Sequence, residues 1–193
     1  MSSLSKVAKA GLQSATIMSV ADAATQISVE GKKITKCDHT SSMIPSSSSR
    51  HTQQQKQAYE NYYDPMRTLR WATVGLTLHG PFFLASFAMI DRYMGAATTL
   101  QVVMKKTALA QFIVFPPYLV GLFTCMGLME ASDDIVTKVS ERVPEAFVCG
   151  CAFWPGANTV NFAFVPAAMR VPYLAAVGGL WNGFLSWLNA RDG

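Results

Sequence analysis

Six strongly polar side chains stand within or beside apolar stretches that are long enough to enter a lipid bilayer. They are Asp22, Gln26, Gln111, Asn158, Asn161 and Arg170. In hydrocarbon no water satisfies an unpaired amide, carboxylate or guanidinium, so such groups face the interior of a helix bundle or an aqueous cavity. We predict that these six residues are pore-lining or interhelical polar groups, and the sequence leaves both possibilities open.

Two of the amides share one predicted helical face. Trp154, Asn158, Asn161 and Val165 recur at steps of four, three and four on a helix that starts at Pro155, a favourable first helical residue. These side chains would line a polar passage, or they would clamp neighbouring helices through hydrogen bonds worth about 0.6 kcal/mol each.

Arg170 lies between two apolar runs and needs a partner. A guanidinium left at mid-bilayer costs at least about 2.5 kcal/mol on insertion scales. It must therefore reach the headgroups or find an acid, and Asp22 is the only acid inside a predicted span. A pair of these two residues would be either a helix lock or a charge-selective constriction.

A stripe of small and polar residues runs along the first predicted helix, residues 7–29. Its members are Gly11, Ala15, Ser19, Asp22 and Gln26. Small residues let membrane helices approach closely, and polar residues find partners across the interface. We expect this helix to dock by its small face with Asp22 pointing inward.

The sequence contains none of the constellations that hydrolases, phosphate-binding enzymes or zinc proteases use. It has no Gly-x-Ser-x-Gly, no phosphate loop and no His-Glu-x-x-His, and its three histidines are not clustered. Its four cysteines form no Cys-x-x-Cys pair, and we interpret them as buried small hydrophobic residues. A net charge of +4 is spread along the chain rather than gathered into a basic stripe. We therefore expect no enzyme activity, no metal, no cofactor and no direct contact with nucleic acid.

The composition is that of a membrane protein. Half of the residues are hydrophobic and 15% are charged, with a mean hydropathy of +0.21, whereas a soluble domain has roughly 25% charged residues. Spans are predicted at 71–90 and 107–129, with Lys105 and Lys106 snorkelling toward headgroups. Residues 146–165 and 171–188 are either two crossings or one kinked unit. We predict an all-α polytopic bundle with four or more membrane-embedded helices, in a single domain over residues 1–193.

Five prolines interrupt these spans. They are Pro81, Pro116, Pro117, Pro155 and Pro166. Proline removes an intrahelical hydrogen bond, so we expect several kinked helices. A kink either shapes the bundle or provides a hinge or ion-coordinating break of the kind found in transporters.

The segments outside the spans differ in character. Residues 31–63 are rich in Ser and Gln and predict a disordered linker. Residues 132–143 predict a short surface helix that Ser132 caps and Pro144 stops. We expect the N-terminal residues to be an uncleaved segment that carries targeting information.

Motifs spaced along most of the chain resemble those of the Mpv-seventeen / peroxisomal membrane protein family. They are Asp22 with Gln26, then Asp64, Arg67, Arg70, Gly75 and Gly80-Pro81, then Lys105, Lys106, Gln111 and Pro116, and finally Trp154-Pro155, Asn161-Phe162, Val165-Pro166, Arg170, Trp181-Asn182 and Ser186. Asn158 stands where the family usually has Gln. Asp91-Arg92-Tyr93 and Ser186-Trp187 resemble the mitochondrial branch.

The resemblance implies a multi-pass protein of the mitochondrial inner membrane, with the peroxisomal membrane as the alternative. It implies a weakly selective channel for small solutes or ions that modulates membrane potential and supports mitochondrial DNA, nucleotide supply and the stress response. The competing interpretation is a non-conducting scaffold that organises partner proteins or lipids. The expected partners are the lipid bilayer and either further copies of this chain or other membrane proteins.

Overall fold

A computed structural model describes residues 3–33, 62–95 and 98–191, and their regular elements are all helical. Residues 34–61, which hold nearly all of the predicted linker, lie outside the described residues. The two flanks of that segment meet at an isolated bridge between Lys33 and Tyr62. The expected all-α fold is confirmed for the described residues.

Five helices account for the described chain. Helix α1 is Ser3–Ala24 and continues through a π-helical turn, Thr25–Val29. Helix α2 is Pro65–Met94 and helix α3 is Leu100–Met129, and each contains one π-helical turn, Gly75–His79 and Ala110–Val114 respectively. Helix α4 is Ile135–Phe164. A short 3-10 turn, Ala167–Met169, leads into helix α5, Arg170–Arg191.

Two helices among the described residues, α2 and α3, are long and apolar enough to cross a membrane. They contain the spans predicted at 71–90 and 107–129. The segments for which two interpretations were left open, 146–165 and 171–188, fall on two separate helices, α4 and α5. A total of four or more embedded helices remains a prediction.

Side-chain caps explain where two helices start. The Asp64 carboxylate accepts hydrogen bonds from Met66 N and Arg67 N, and Pro65 occupies the first turn of α2. Asp134 caps α4 by accepting from Thr137 N. Hydrogen bonds from the Thr137 hydroxyl and from backbone N–H groups lower the pKa of Asp134. The predicted cap at Ser132 is therefore wrong by two residues.

Two prolines lie within α4 instead of bounding helices. Pro144 was predicted to stop a surface helix and Pro155 to start a helix, but both are inside Ile135–Phe164. A proline forfeits one backbone hydrogen bond, and the helix survives where packing holds it on both sides. Val143 precedes Pro144 and Phe147 follows it, and both pack against the hydrophobic core.

The other prolines occupy different positions. Pro81 follows the π-turn of α2, and Pro116 and Pro117 follow the π-turn of α3. Pro166 lies in the break between α4 and the 3-10 turn, so the expectation of a kink within a helix is wrong at this position. Kinks at the other four prolines stay predictions.

Helix α1 docks antiparallel on α2 through glycines, as its small stripe predicts. A Cβ added at Gly80 would lie 2.6 Å from the backbone nitrogen of Gly11, and one added at Gly75 would lie 2.7 Å from the Cα of Ala15. Real Cβ atoms do not approach backbone so closely, so only glycine fits at this crossing. Helix α1 also packs against α5, where Gly179 meets Ala21.

The distribution of polarity differs from that in a soluble protein, because large apolar side chains are exposed while several polar ones are fully buried. Exposed side chains include Leu12, Phe112, Ile113, Val148 and Phe164. The buried set includes Gln26, Lys106 and Asn161, which are each 0% exposed. In soluble proteins Lys and Asn are seldom fully buried, and the exposed surface rarely consists of large apolar residues. A surrounding lipid bilayer accounts for both observations.

Candidate functional site

A cluster of charged and polar groups joins the end of α1 to the start of α2; we call Asp22, Gln26, Glu30 and Arg67 the Asp22 cluster. Arg67 Nε lies 2.8 Å from Asp22 Oδ1, and Arg67 also donates to both oxygens of Glu30 at 2.8 and 3.0 Å. The contact between Arg67 and Asp22 Oδ1 pairs two opposite charges, but it is not aligned as a hydrogen bond. Asp22 therefore points inward as expected, and its cation comes from α2.

Gln26 fixes the geometry of this cluster. Its Nε2 donates to Asp22 Oδ2 at 2.8 Å, and its Oε1 accepts from the backbone N–H of Asp64 at 2.7 Å. Thr68 donates its hydroxyl proton to the same Asp22 oxygen at 2.6 Å. The fully buried amide thus ties α1 to the residue that caps α2, which is an interhelical role.

A second cluster joins three helices at the other end of α2; we call Asp91, Lys106 and Arg170 the Asp91 cluster. Lys106 Nζ donates to Asp91 Oδ1 at 2.7 Å, and an Arg170 terminal nitrogen donates to Asp91 Oδ2 at 2.6 Å. The predicted Asp22–Arg170 pair is wrong, because each residue has a nearer partner of opposite charge. The predicted snorkelling of Lys106 is also wrong, because its side chain is turned inward to Asp91.

The two cations of the Asp91 cluster share one aromatic neighbour. The Arg170 guanidinium carbon lies 5.2 Å from the centroid of the Phe162 ring and Lys106 Nζ lies 6.0 Å from it. Both distances permit a cation–π attraction, which is stronger where water is excluded. Arg170 Nε also donates to the Val165 carbonyl at 3.3 Å, which closes the turn between α4 and α5.

The two clusters lie a membrane thickness apart. Arg67 and Asp91 are 24 residues apart on α2, or about 36 Å along a helix that rises 1.5 Å per residue. The hydrocarbon core of a bilayer is roughly 30 Å thick. The Asp22 cluster and the Asp91 cluster are therefore placed near opposite faces of the membrane.

A buried polar contact lies midway between the clusters. His79 is 12 residues from both Arg67 and Asp91, and its Nδ1 is 3.3 Å from the hydroxyl of Ser14 on α1. The imidazole packs against Phe83 and Tyr118. The structure therefore shows His79 as a buried polar contact between α1 and α2.

Three buried amides, Gln111 on α3 and Asn158 and Asn161 on α4, keep atoms that have no hydrogen-bond partner. They are Gln111 Oε1, Asn158 Oδ1 and both Oδ1 and Nδ2 of Asn161. Thr107 and Thr159 hydroxyls meet at 3.3 Å, and Gln111 Nε2 lies 3.3 Å from Cys151 Sγ, so α3 and α4 run side by side here. An unpaired buried amide costs roughly 1–3 kcal/mol. Among the described residues, the one other buried side-chain atom without a hydrogen-bond partner is Asp22 Oδ1, whose charge Arg67 compensates.

All six predicted site residues are buried, and the structure divides them into three places. Asp22 and Gln26 belong to the Asp22 cluster, Arg170 belongs to the Asp91 cluster, and the remaining three are buried amides on α3 and α4, which we call the α3–α4 amides, namely Gln111, Asn158 and Asn161. That any of them lines a pore stays a prediction. Among the described residues there is no group of acids, cysteines and histidines that could hold a metal.

Sequence reasoning missed Asp91 and Lys106 as site residues. Both flank the predicted spans, where charged residues usually reach water, so their types gave no reason to bury them. Their appearance among the motifs that resemble the family was the available signal. The cysteine interpretation also needs correction, because Cys149 and Cys151 are exposed on α4 rather than buried.

Comparisons with known proteins agree on one family. A sequence model described as the Mpv17 / PMP22 family matches residues 127–186, which include α4, Asn158, Asn161 and Arg170. The chain is similar to "PXMP2/4 family protein 4" of Dictyostelium discoideum, with 30% identity over 66% of this chain and 70% of that protein. "Protein sym1" of Aspergillus oryzae is 29% identical over 67% and 75% of the two chains. Human "Mitochondrial inner membrane protein Mpv17" is 27% identical over 63% and 69%. No solved structure matches.

Proposed function

The chain belongs to the Mpv17 / PMP22 family, and we propose that it forms a weakly selective channel for small solutes or ions. It is a protein of the mitochondrial inner membrane, the location in the names of its human and bovine relatives. A relative named for the PXMP2/4 family keeps the peroxisomal membrane as the alternative. Catalysis forms no part of the proposal.

The observation that carries the proposal is that the buried α3–α4 amides keep atoms without hydrogen-bond partners. Asn161 is 0% exposed, and neither of its amide atoms has a hydrogen-bond partner in the protein. A clamp between helices would use these atoms in interhelical hydrogen bonds, as Gln26 does at the other end of the bundle. Amides without protein partners instead suit a path where water or a solute satisfies them.

The proposal takes this conformation as the closed state. Asn161 is enclosed, so conduction requires the helices packed around these amides to part locally and admit water beside Gln111, Asn158 and Asn161. The ion clusters at the two ends of α2 would hold the rest of the bundle together while the helices beside these amides part. Membrane-potential control and support of mitochondrial DNA and nucleotide supply, which the family resemblance implies, would follow from such a regulated leak.

The experiment compares Asn161→Leu with the neighbouring control Val160→Leu. Val160 lies on the exposed side of α4, so its replacement changes the lipid-facing surface and leaves the α3–α4 amides intact. The purified proteins are reconstituted in planar bilayers for single-channel recording, and their unfolding is measured in detergent. A channel predicts that Asn161→Leu lowers the conductance without loss of stability, because leucine removes an unsatisfied amide.

The alternative function is a non-conducting scaffold, and the ion clusters favour it. They connect α1 to α2 and α2 to α3 and α5, which suits a rigid platform for partner proteins or lipids. The scaffold predicts no current from either the wild type or Asn161→Leu, while the unfolding measurement shows that each protein recorded is folded. The same two measurements therefore separate the two functions.

A further inference from the structure

The end of the molecule that carries the Asp91 cluster is surrounded by basic side chains, and we propose that it binds the headgroup of an anionic phospholipid. The surface is formed by the end of α2, the start of α3 and the α4–α5 junction; we call it the basic rim. This proposal depends on membrane insertion alone and is independent of whether the protein conducts.

Charge is the first argument for the basic rim. The basic rim contains Arg92, Lys105, Lys106 and Arg170 and a single acid, Asp91, which gives a net charge of +3. Arg92 and Lys105 are exposed and form no ion pair among the described residues, so they are available to a ligand. Basic pockets between membrane helices attract lipid phosphates for this reason.

Burial of an unbalanced charge is the second argument. Lys106 and Arg170 are almost fully enclosed and share the carboxylate of Asp91, so the cluster keeps a surplus of one positive charge. An uncompensated charge in a low-dielectric surrounding is costly. A phosphate held by the exposed Arg92 and Lys105, the sequence neighbours of Asp91 and Lys106, would bring negative charge to this end of the molecule without displacing Asp91.

The apolar neighbours of the rim suit the rest of a lipid. Tyr93, Leu100 and Phe164 are each exposed, and they flank the basic residues along the sequence. Tyrosine is enriched at membrane interfaces, where its ring packs on acyl chains and its hydroxyl meets headgroups. The surface therefore offers both halves of a phospholipid a matching contact.

The opposite end of α3 has the reverse charge, which makes the proposal specific to one end. Between residues 130 and 145 five acids face two basic residues, Lys138 and Arg142, which gives a net charge of −3. Lys138 and Arg142 are each paired with an acid, Glu130 and Glu145 respectively. This segment supplies a matched control, because two charges can be removed from it as well.

The test measures lipid binding to the purified full-length chain by native mass spectrometry in a neutral detergent. Phosphatidylglycerol and phosphatidylcholine with identical acyl chains are titrated against the wild type, R92Q/K105Q and the control K138Q/R142Q. Each basic residue near a headgroup contributes roughly a fivefold change in affinity. We expect R92Q/K105Q to bind phosphatidylglycerol about 25-fold more weakly, the control to bind as the wild type does, and added salt to weaken wild-type binding.

The proposal is overturned by either of two results. One is equal affinity of the wild type for phosphatidylglycerol and phosphatidylcholine. The other is an equal loss of phosphatidylglycerol binding in R92Q/K105Q and in the control, which would reveal a general effect of charge. Circular dichroism of each variant confirms that the comparison is made between folded proteins, and both substituted pairs lie outside the enclosed contacts of the Asp91 cluster.

Discussion

Replacement of Asp91 by Asn should be the most destabilising single change of charge in the described part of this protein. Asp91 is the shared acid of Lys106, at 2.7 Å, and Arg170, at 2.6 Å. Its removal leaves two enclosed cations from two helices without an anion. We therefore expect α2, α3 and α5 to lose their common contact and the two cations to repel one another.

The magnitude follows from the burial of the three groups. Breaking a buried ion pair by removing one partner costs about 3–5 kcal/mol. The side chain of Asp91 is 27% exposed, so water screens part of the loss, and we expect the lower end of that range, about 3 kcal/mol. Lys106→Met should cost less than about 1 kcal/mol, because it removes the surplus positive charge and leaves the Asp91–Arg170 pair intact.

A second comparison controls for the loss of any carboxylate. Asp22→Asn removes an acid from Arg67, but Arg67 keeps two hydrogen bonds to Glu30 at 2.8 and 3.0 Å and its side chain is 31% exposed. We expect this variant to lose about 1 kcal/mol. The free energy of unfolding is measured in mixed micelles against increasing sodium dodecyl sulfate. The reasoning is refuted if Lys106→Met is as destabilising as Asp91→Asn.

Two further variants test the docking of α1 on α2 and the start of α2. Gly80→Ala places a Cβ 2.6 Å from the backbone of Gly11, so we expect a loss of about 1–3 kcal/mol in the same assay. Gly156→Ala, where a Cβ meets nothing within 4 Å, should be neutral, and equal losses in the two variants would contradict the packing. Asp64→Ala removes the cap of α2 and should cost about 1 kcal/mol. Hydrogen exchange at the Met66 and Arg67 amides should speed up, and unchanged exchange would argue against the cap.

The sequence predicted those features that depend on local pattern. The small and polar stripe of α1 placed Asp22 and Gln26 correctly on the buried face, because side-chain spacing on a helix follows directly from residue number. The apolar spans of α2 and α3 were equally predictable, since length and hydropathy determine whether a helix can cross a bilayer. The resemblance to the family also pointed to the C-terminal motifs, which include Asn161 and Arg170.

The features that failed depend on contacts between distant residues. Asp91 and Arg170 are 79 positions apart, and nothing in one sequence indicates that a flanking acid takes precedence over Asp22 as the partner of Arg170. The helix through Pro144 was missed for a related reason. A proline is a local stop signal, but tertiary packing of Val143 and Phe147 outweighs the hydrogen bond that it removes.

The most direct test of the proposed channel is the accessibility of position 161 to water in the working protein. Asn161→Cys and the adjacent control Val160→Cys are made in a variant whose four native cysteines are replaced, reconstituted in vesicles and exposed to a small charged thiol reagent under an applied potential. The account predicts modification at 161 and protection at 160, which faces lipid. Protection of 161 under every potential, in a folded protein, would contradict a passage along the α3–α4 amides.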